Sequence, residues 1–246
     1  MYSKSAELLG DPNFPRILVK APQGERILRY QELYQQYSRL GLSQDYDRPT
    51  AIDGLQQKLL RTMDVEGGFG ILEDNNIKGT LRRSLLWHRG DDTKSLKRIV
   101  FPKDRADVPS WSWMAYAGGK DNSGGIDYFK VDFDGFDWQA ITSPWSRAGT
   151  GGEIHALIAD SRAYTTLQGN SEGTFRIIFD APQEEGKYAT KCIVLGVEKG
   201  EMSLDGKLHY VLVIKPTSFK GRYERVGAGW MPGRCLGDEV EEVQVI

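Results

Sequence analysis

The spacing of apolar residues changes near residue 67, and the change predicts two kinds of structure in one molecule. Before it, Leu28, Tyr30, Leu33, Tyr34 and Tyr37 recur at three- and four-residue steps, which predicts a helix over 25–42 with Gly41 as its C-cap. Ile52, Leu55, Leu59 and Leu60 share one face of a second predicted helix, Ala51 to Met63, which Gly67-Gly68 is expected to stop. Residues 1–24, broken by Asp11-Pro12, Phe14-Pro15 and Pro22, read as an irregular lead-in. Beyond residue 67, short apolar runs alternate with turn residues, the pattern of antiparallel strands. Strands are expected at 70–73, 83–88, 111–116, 126–133, 136–141, 153–160, 174–180, 191–198, 209–215, 223–228 and 239–245. The charged stretch 91–108 reads as a surface loop and Gly149–Gly152 as a joint. The expected fold class is α+β: short N-terminal helices packed on antiparallel β-sheet, sandwich-like or an open barrel. The lead-in (1–24), the helical preface (25–66) and the β region (67–246) are expected to form a single domain.

One hairpin follows from the pattern in detail. Apolar residues fall at 129, 131 and 133, and after Asp134-Gly135 at 136, 138 and 140. A two-residue turn of type I′ demands such a change of phase. The register pairs Phe133 with Phe136, Val131 with Trp138 and Phe129 with Ala140. On the opposite face it sets Asp132 across from Asp137 and Lys130 across from Gln139.

Composition narrows the class. The apolar share of 39% and charged share of 27% fit a globular chain rather than a disordered one. The formal charge of −2 and the lack of any Lys/Arg block interleaved with aromatics argue against nucleic acid as a partner. No run of apolar residues is long enough to span a membrane. The two cysteines, Cys192 and Cys235, form no CxxC motif, so a cytoplasmic, reduced setting is expected. Residues 1–9 show no export signal.

Several segments carry a family resemblance. Tyr37-Ser38-Arg39-Leu40-Gly41-Leu42-Ser43 is followed by Asp47-Arg48-Pro49-Thr50-Ala51-Ile52-Asp53-Gly54-Leu55. Gly67-Gly68-Phe69-Gly70-Ile71-Leu72 precedes Leu85-Leu86-Trp87-His88-Arg89. Then come Val108-Pro109-Ser110-Trp111-Ser112-Trp113-Met114-Ala115 and, near the end, Tyr210–Ile214 with Tyr223-Glu224-Arg225-Val226-Gly227. In order and spacing these resemble the region that follows the signature domain in fungal heterokaryon-incompatibility (HET) proteins, with PSWSW the most specific of the set. The family's signature motifs, which would precede this region, do not occur here. The resemblance therefore implies a fragment, or a stand-alone descendant of the tail. The cell-death and nucleotide-handling properties associated with the signature domain are not implied for this chain.

Candidate chemistry is sparse. A strand over Trp111–Tyr116 would put both indoles on one face, as an aromatic wall for a ligand continued by Tyr116, or as core anchors. The facing carboxylates Asp132 and Asp137 read either as an acid/base pair with one raised pKa or as charges on a solvated face, and the nearby Asp127 and Asp134 would add to either reading. His155, among apolar neighbours, is a candidate general base or a structural ring. His88 and His209 complete the histidines, and no pair has metal-ligand spacing, so no metal or other cofactor is expected. Arg225 is expected to meet a carboxylate elsewhere or to bind an anion. The glycine clusters lack a phosphate-loop setting, and Ser110 and Ser112 lack the G-x-S-x-G frame.

Two functions follow. One is a non-catalytic interaction or regulatory module of HET-tail type, with a protein partner. The other is a small cofactor-free cyclase or isomerase acting on a hydrophobic metabolite. Its catalytic residues would be Asp132, Asp137 and His155, and its substrate wall Trp111, Trp113, Tyr116, Trp138 and Arg225.

Overall fold

In the computed structural model, the described residues are 14–74, 77, 79–104, 108–118, 124–132, 134–145, 156–164, 175–182 and 191–246, without the side chain of Gln23. Among them the first elements are helices α1 (Arg16–Val19), α2 (Gln23–Ser38) and α3 (Arg48–Met63). Helix α2 buries Ile27, Tyr30, Gln31, Tyr34 and Ser38, one stripe at helical spacing. Pro49 in the first turn of α3 gives up no intrahelical hydrogen bond. The helix buries Ile52, Gln56, Leu59 and Leu60 and ends on Asp64, at φ 54°. Two expected caps are therefore corrected. Arg39, not Gly41, caps α2, and Gly67-Gly68 stops no helix but belongs to strand β1 (Glu66–Gly68).

Strand β1 pairs with β2 (Ile71–Glu73) across the two-residue turn Phe69-Gly70, with φ of 51° and 75°. Two positive φ values define the I′ class, where Asn or Gly is usual and a phenylalanine is strained. Helix α4 (Thr80–Leu85) and strands β3 (Trp87–Arg89), β4 (Leu96–Arg98), β5 (Tyr116–Gly118) and β6 (Ile126–Tyr128) follow. They form two small sheets, β3 with β6 and β4 with β5. Strand β4 lies inside the stretch expected to be loop.

Strands β7 (Phe136–Trp138), β8 (Leu157–Tyr164), β9 (Arg176–Phe179), β10 (Lys191–Glu198), β11 (Leu208–Pro216), β12 (Arg222–Pro232) and β13 (Leu236–Val245) form the main sheet. Its order is β11-β10-β8-β13-β12, and β11 also pairs with β12, so five strands close into a barrel. Strand β7 flanks β10 and β9 flanks β12. All barrel ladders are antiparallel except the short β12–β13 contact. The expected α+β class with helices and antiparallel sheet is thus what the chain adopts, with the barrel closed by the β11–β12 pairing rather than open.

Three expectations are overturned. Residues 83–85 are helical rather than strand, because Leu81 and Leu85, one turn apart, both need the core. Residues 111–115 form a turn and a 3-10 turn (Trp113–Ala115) rather than a strand. Ser112 N–H donates to Pro109 O at 3.0 Å and Ser112 Oγ accepts from Met114 N–H at 3.0 Å. Such local bonds compete with a ladder. The Asp-Gly hairpin does not form either: residues 129–132 lie in no strand, and β7 pairs with β10, Asp137 opposite Val197. That register lays the Trp138 indole over Gly196, where no side chain stands in its way. Phe133 lies outside the described residues.

The sheet buries both faces. Ile193, Leu195 and Leu212 join the helices and the tryptophans in one large core, while Cys192, Val211, Val213 and Val226 on the alternate positions form a smaller one. No helix among the described residues is long and apolar enough to cross a membrane.

Candidate functional site

The segments expected to carry chemistry converge first on a joint between helices and barrel. Arg225, 1% exposed, donates Nε and Nη2 to the two carboxylate oxygens of Asp180 at 3.1 and 3.2 Å. Its Nη1 donates to Leu85 O at 2.9 Å and its Nη2 also to Trp87 O. The guanidinium lies 3.2 Å from the centroid of the Trp87 ring. Arg225 thus meets a carboxylate elsewhere, as one of its two expected roles required. Burial pushes the Asp180 carboxyl up, against the opposing pull of Arg225. His88 beside the pair is held below its ordinary value, chiefly by burial.

The PSWSW segment closes the joint. Trp87 Nε1 donates to Trp111 O at 2.8 Å, Trp113 Nε1 to Gly70 O at 3.2 Å, and Ser112 Oγ to Phe69 O at 2.6 Å. Ser110 Oγ donates to Ile246 O and accepts from Arg225 N–H. Tyr116 OH donates to Arg225 O at 3.2 Å. Gly70 is required here, since a Cβ at its φ of 75° would collide with the Trp113 indole. Trp111 and Trp113 do not form one wall. Trp113 packs on Tyr34 and Tyr37, and Trp111 on Phe69 and Trp145, with both indoles at most 1% exposed.

The hairpin register expected to set Asp132 across from Asp137 is absent. Asp132 is exposed and accepts from Asp134 N–H at 3.3 Å, while Asp137 points from β7 into a different setting. Asp127 is bound to Arg39 at 2.9 Å. Trp138 is buried against Gly79 and Gly196. His155 lies outside the described residues.

Among the described residues, two of the clefts are of similar size. The first, about 540 Å³, is aromatic: Phe69, Trp145 and Met114 line it over the backbone of Gly67 and Gly68. Asp53 is its one acidic residue among the described residues. The second, about 510 Å³, is charged and lies against β7, β8, β10 and β13. Asp137, Asp160, Asp205 and Asp238 line it, with Arg162, Lys207 and His209. Alternation along β8 buries Leu157, Ala159 and Ser161 and sends Asp160 and Arg162 to the cleft.

His209 is the residue that sequence reasoning passed over. It is 7% exposed, and its Nδ1 lies 2.9 Å from Lys207 O. A carbonyl only accepts, so Nδ1 carries the proton and the neutral ring keeps its lone pair on Nε2. Burial holds the ring below its ordinary pKa, and the neighbouring Arg162 and Lys207 act the same way. Nε2 takes no hydrogen bond among the described residues, yet it is not sealed from solvent. Among those residues, no three His, Cys, Asp or Glu side chains gather as a metal site. No family model, no curated protein and no solved structure matches the chain.

Proposed function

We propose that the protein is a non-catalytic interaction and regulatory module of the type that follows the signature domain in fungal HET proteins, working in the cytoplasm. The observation that carries this reading is the separation of its chemistry. The aromatic cleft and the cleft holding Asp137 and His209 have no lining residue in common. Acid/base catalysis on a hydrophobic metabolite needs apolar grip and proton transfer on one substrate, within hydrogen-bond reach. The resemblance supports the same reading, because its PSWSW and YERVG segments build a joint in which Arg225, Ser110, Ser112 and the Trp113 indole are all hydrogen-bonded. The test is to delete the coding sequence in the host, then restore it as wild type and as the Asp132→Asn/Asp137→Asn double variant. The expected metabolite profile is the same in all strains. A compound lost on deletion, replaced by a same-mass precursor and not restored by the double variant, would overturn the proposal.

That outcome would support the second reading, a cofactor-free cyclase or isomerase. One observation favours it: Asp137 and the open Nε2 of His209 line the same cleft. Neutral imidazole and carboxylate together can take and return one proton.

A further inference from the structure

We propose that the charged cleft on the barrel is a binding site for a small zwitterionic amine with a second cationic group, the chemistry of a basic amino acid. His209 supplies the first reason. Its Nδ1 is committed to Lys207 O, while Nε2 stands at the cleft as an acceptor that no described residue occupies and that a ligand donor can reach. An ammonium N–H is such a donor, and the imidazole must be neutral to accept it.

The charges around it supply the second reason. None of Asp137, Asp160, Asp205 and Asp238 has an ion-pair partner within 4.0 Å among the described residues, and neither do Arg162 and Lys207. Opposite charges on one cleft wall that do not meet each other are free to meet a ligand carrying both signs. The carboxylates outnumber the cations by two, so the complementary ligand is a net cation. They stand on β7, β8, β13 and the 204–207 turn rather than around one point, which favours ammonium groups spaced along a molecule over a single metal ion. A simple diamine would leave Arg162 and Lys207 facing positive charge. A carboxylate on the ligand removes that repulsion, with Arg162 able to bind it in two-point fashion.

The inference does not depend on the module reading, since a regulatory ligand and a substrate would occupy the cleft alike. It is tested by calorimetric titration of the full chain with L-lysine, with putrescine, which lacks the carboxylate, and with L-norleucine, which lacks the second ammonium. L-Lysine is expected to bind saturably, and each analogue about tenfold or more weaker, the loss of one charge-assisted contact. Arg162→Gln should weaken lysine, by losing the carboxylate contact, and leave putrescine no weaker or somewhat tighter, by removing a like charge. Asp160→Asn should weaken both. Both positions are on the cleft surface, and an unchanged melting temperature confirms that the variants fold. No saturable lysine binding, norleucine binding as tight as lysine, or a lysine affinity that neither variant alters would overturn the proposal.

Discussion

Around Arg225 and around His209 the chain treats polar groups in opposite ways. At the joint, the guanidinium, three indole or hydroxyl donors of the PSWSW region and the Asp180 carboxylate all bond to one another or to backbone carbonyls. At the cleft, four carboxylates, two cations and one imidazole nitrogen line a common space without pairing. A satisfied network fixes one geometry and has nothing left to offer a ligand. The four carboxylates of the cleft are exposed, so they are hydrated at little cost to folding and keep their bonding capacity for a ligand. The tryptophan-rich motif, the strongest signal in the sequence, therefore marks the scaffold, and the plainer β8 and β11 residues mark the surface that can recognise.

The largest effect that can break this contrast lies at Asp180. Asp180→Ala leaves a buried guanidinium without its anion, and a loss of about 3–5 kcal/mol is expected in urea unfolding. Replacing both partners, Arg225→Met with Asp180→Leu, is expected to cost clearly less, because no charge is stranded. A loss under about 1 kcal/mol for Asp180→Ala would mean that the pair is not the desolvated clamp described above. Ser112→Ala ranks next. Its hydroxyl donates to Phe69 O and accepts from Met114 N–H, and removing it is expected to cost about 1–2 kcal/mol. The same unfolding series measures it, and a neutral result would release the strained Phe69-Gly70 turn from its supposed tether.

The sequence revealed the barrel better than the joint, for physical reasons. Strand β10 was legible at its exact length, 191–198, since alternation and a bounding turn leave a short strand few choices. The helical preface was legible from its three- and four-residue steps. Residues 83–88 and 111–116 were not, because Leu85-Leu86-Trp87 and Trp111-Ser112-Trp113 satisfy a buried turn as well as a strand, and only tertiary contacts decide. The Asp134-Gly135 hairpin failed because local turn chemistry lost to the fit of Trp138 over Gly196, which is distant in the chain. At the site, the ion pair of Arg225 was legible as a need for some carboxylate, but Asp180 could not be named. His209 was set aside because a single histidine has no pattern. Its meaning comes from the Lys207 carbonyl and the facing strand β8.

Acid sharpens the contrast by a smaller effect. His88 at the joint and His209 at the cleft are both held below the ordinary 6.5 by burial, so the folded chain binds fewer protons than the unfolded one in the window between. Stability is then fully present above pH 6.5 and falls as the pH drops through the folded values. The urea midpoint is expected to decline from pH 7 to pH 5, and His88→Gln to remove part of that decline. The raised Asp180 carboxyl acts with the opposite sign, so His88→Gln is the deciding comparison: a variant that declines as steeply as wild type would contradict the role given to His88.

The smallest expected effect is also the most discriminating. Asp160 is exposed, stands directly across from Glu242 on β13 and has no ion-pair partner among the described residues. Like charges in facing positions repel, so Asp160→Asn is expected to leave stability within about 0.5 kcal/mol of wild type, on the stabilising side. Salt screens such a repulsion, so the gain should shrink between roughly 0.05 and 0.5 M sodium chloride. A loss above about 1 kcal/mol would place a hidden partner on the carboxylate and make the cleft another satisfied network like the joint. A small gain together with weakened lysine binding would separate the two regions cleanly: a residue kept at a cost to folding, whose removal is felt only by the ligand.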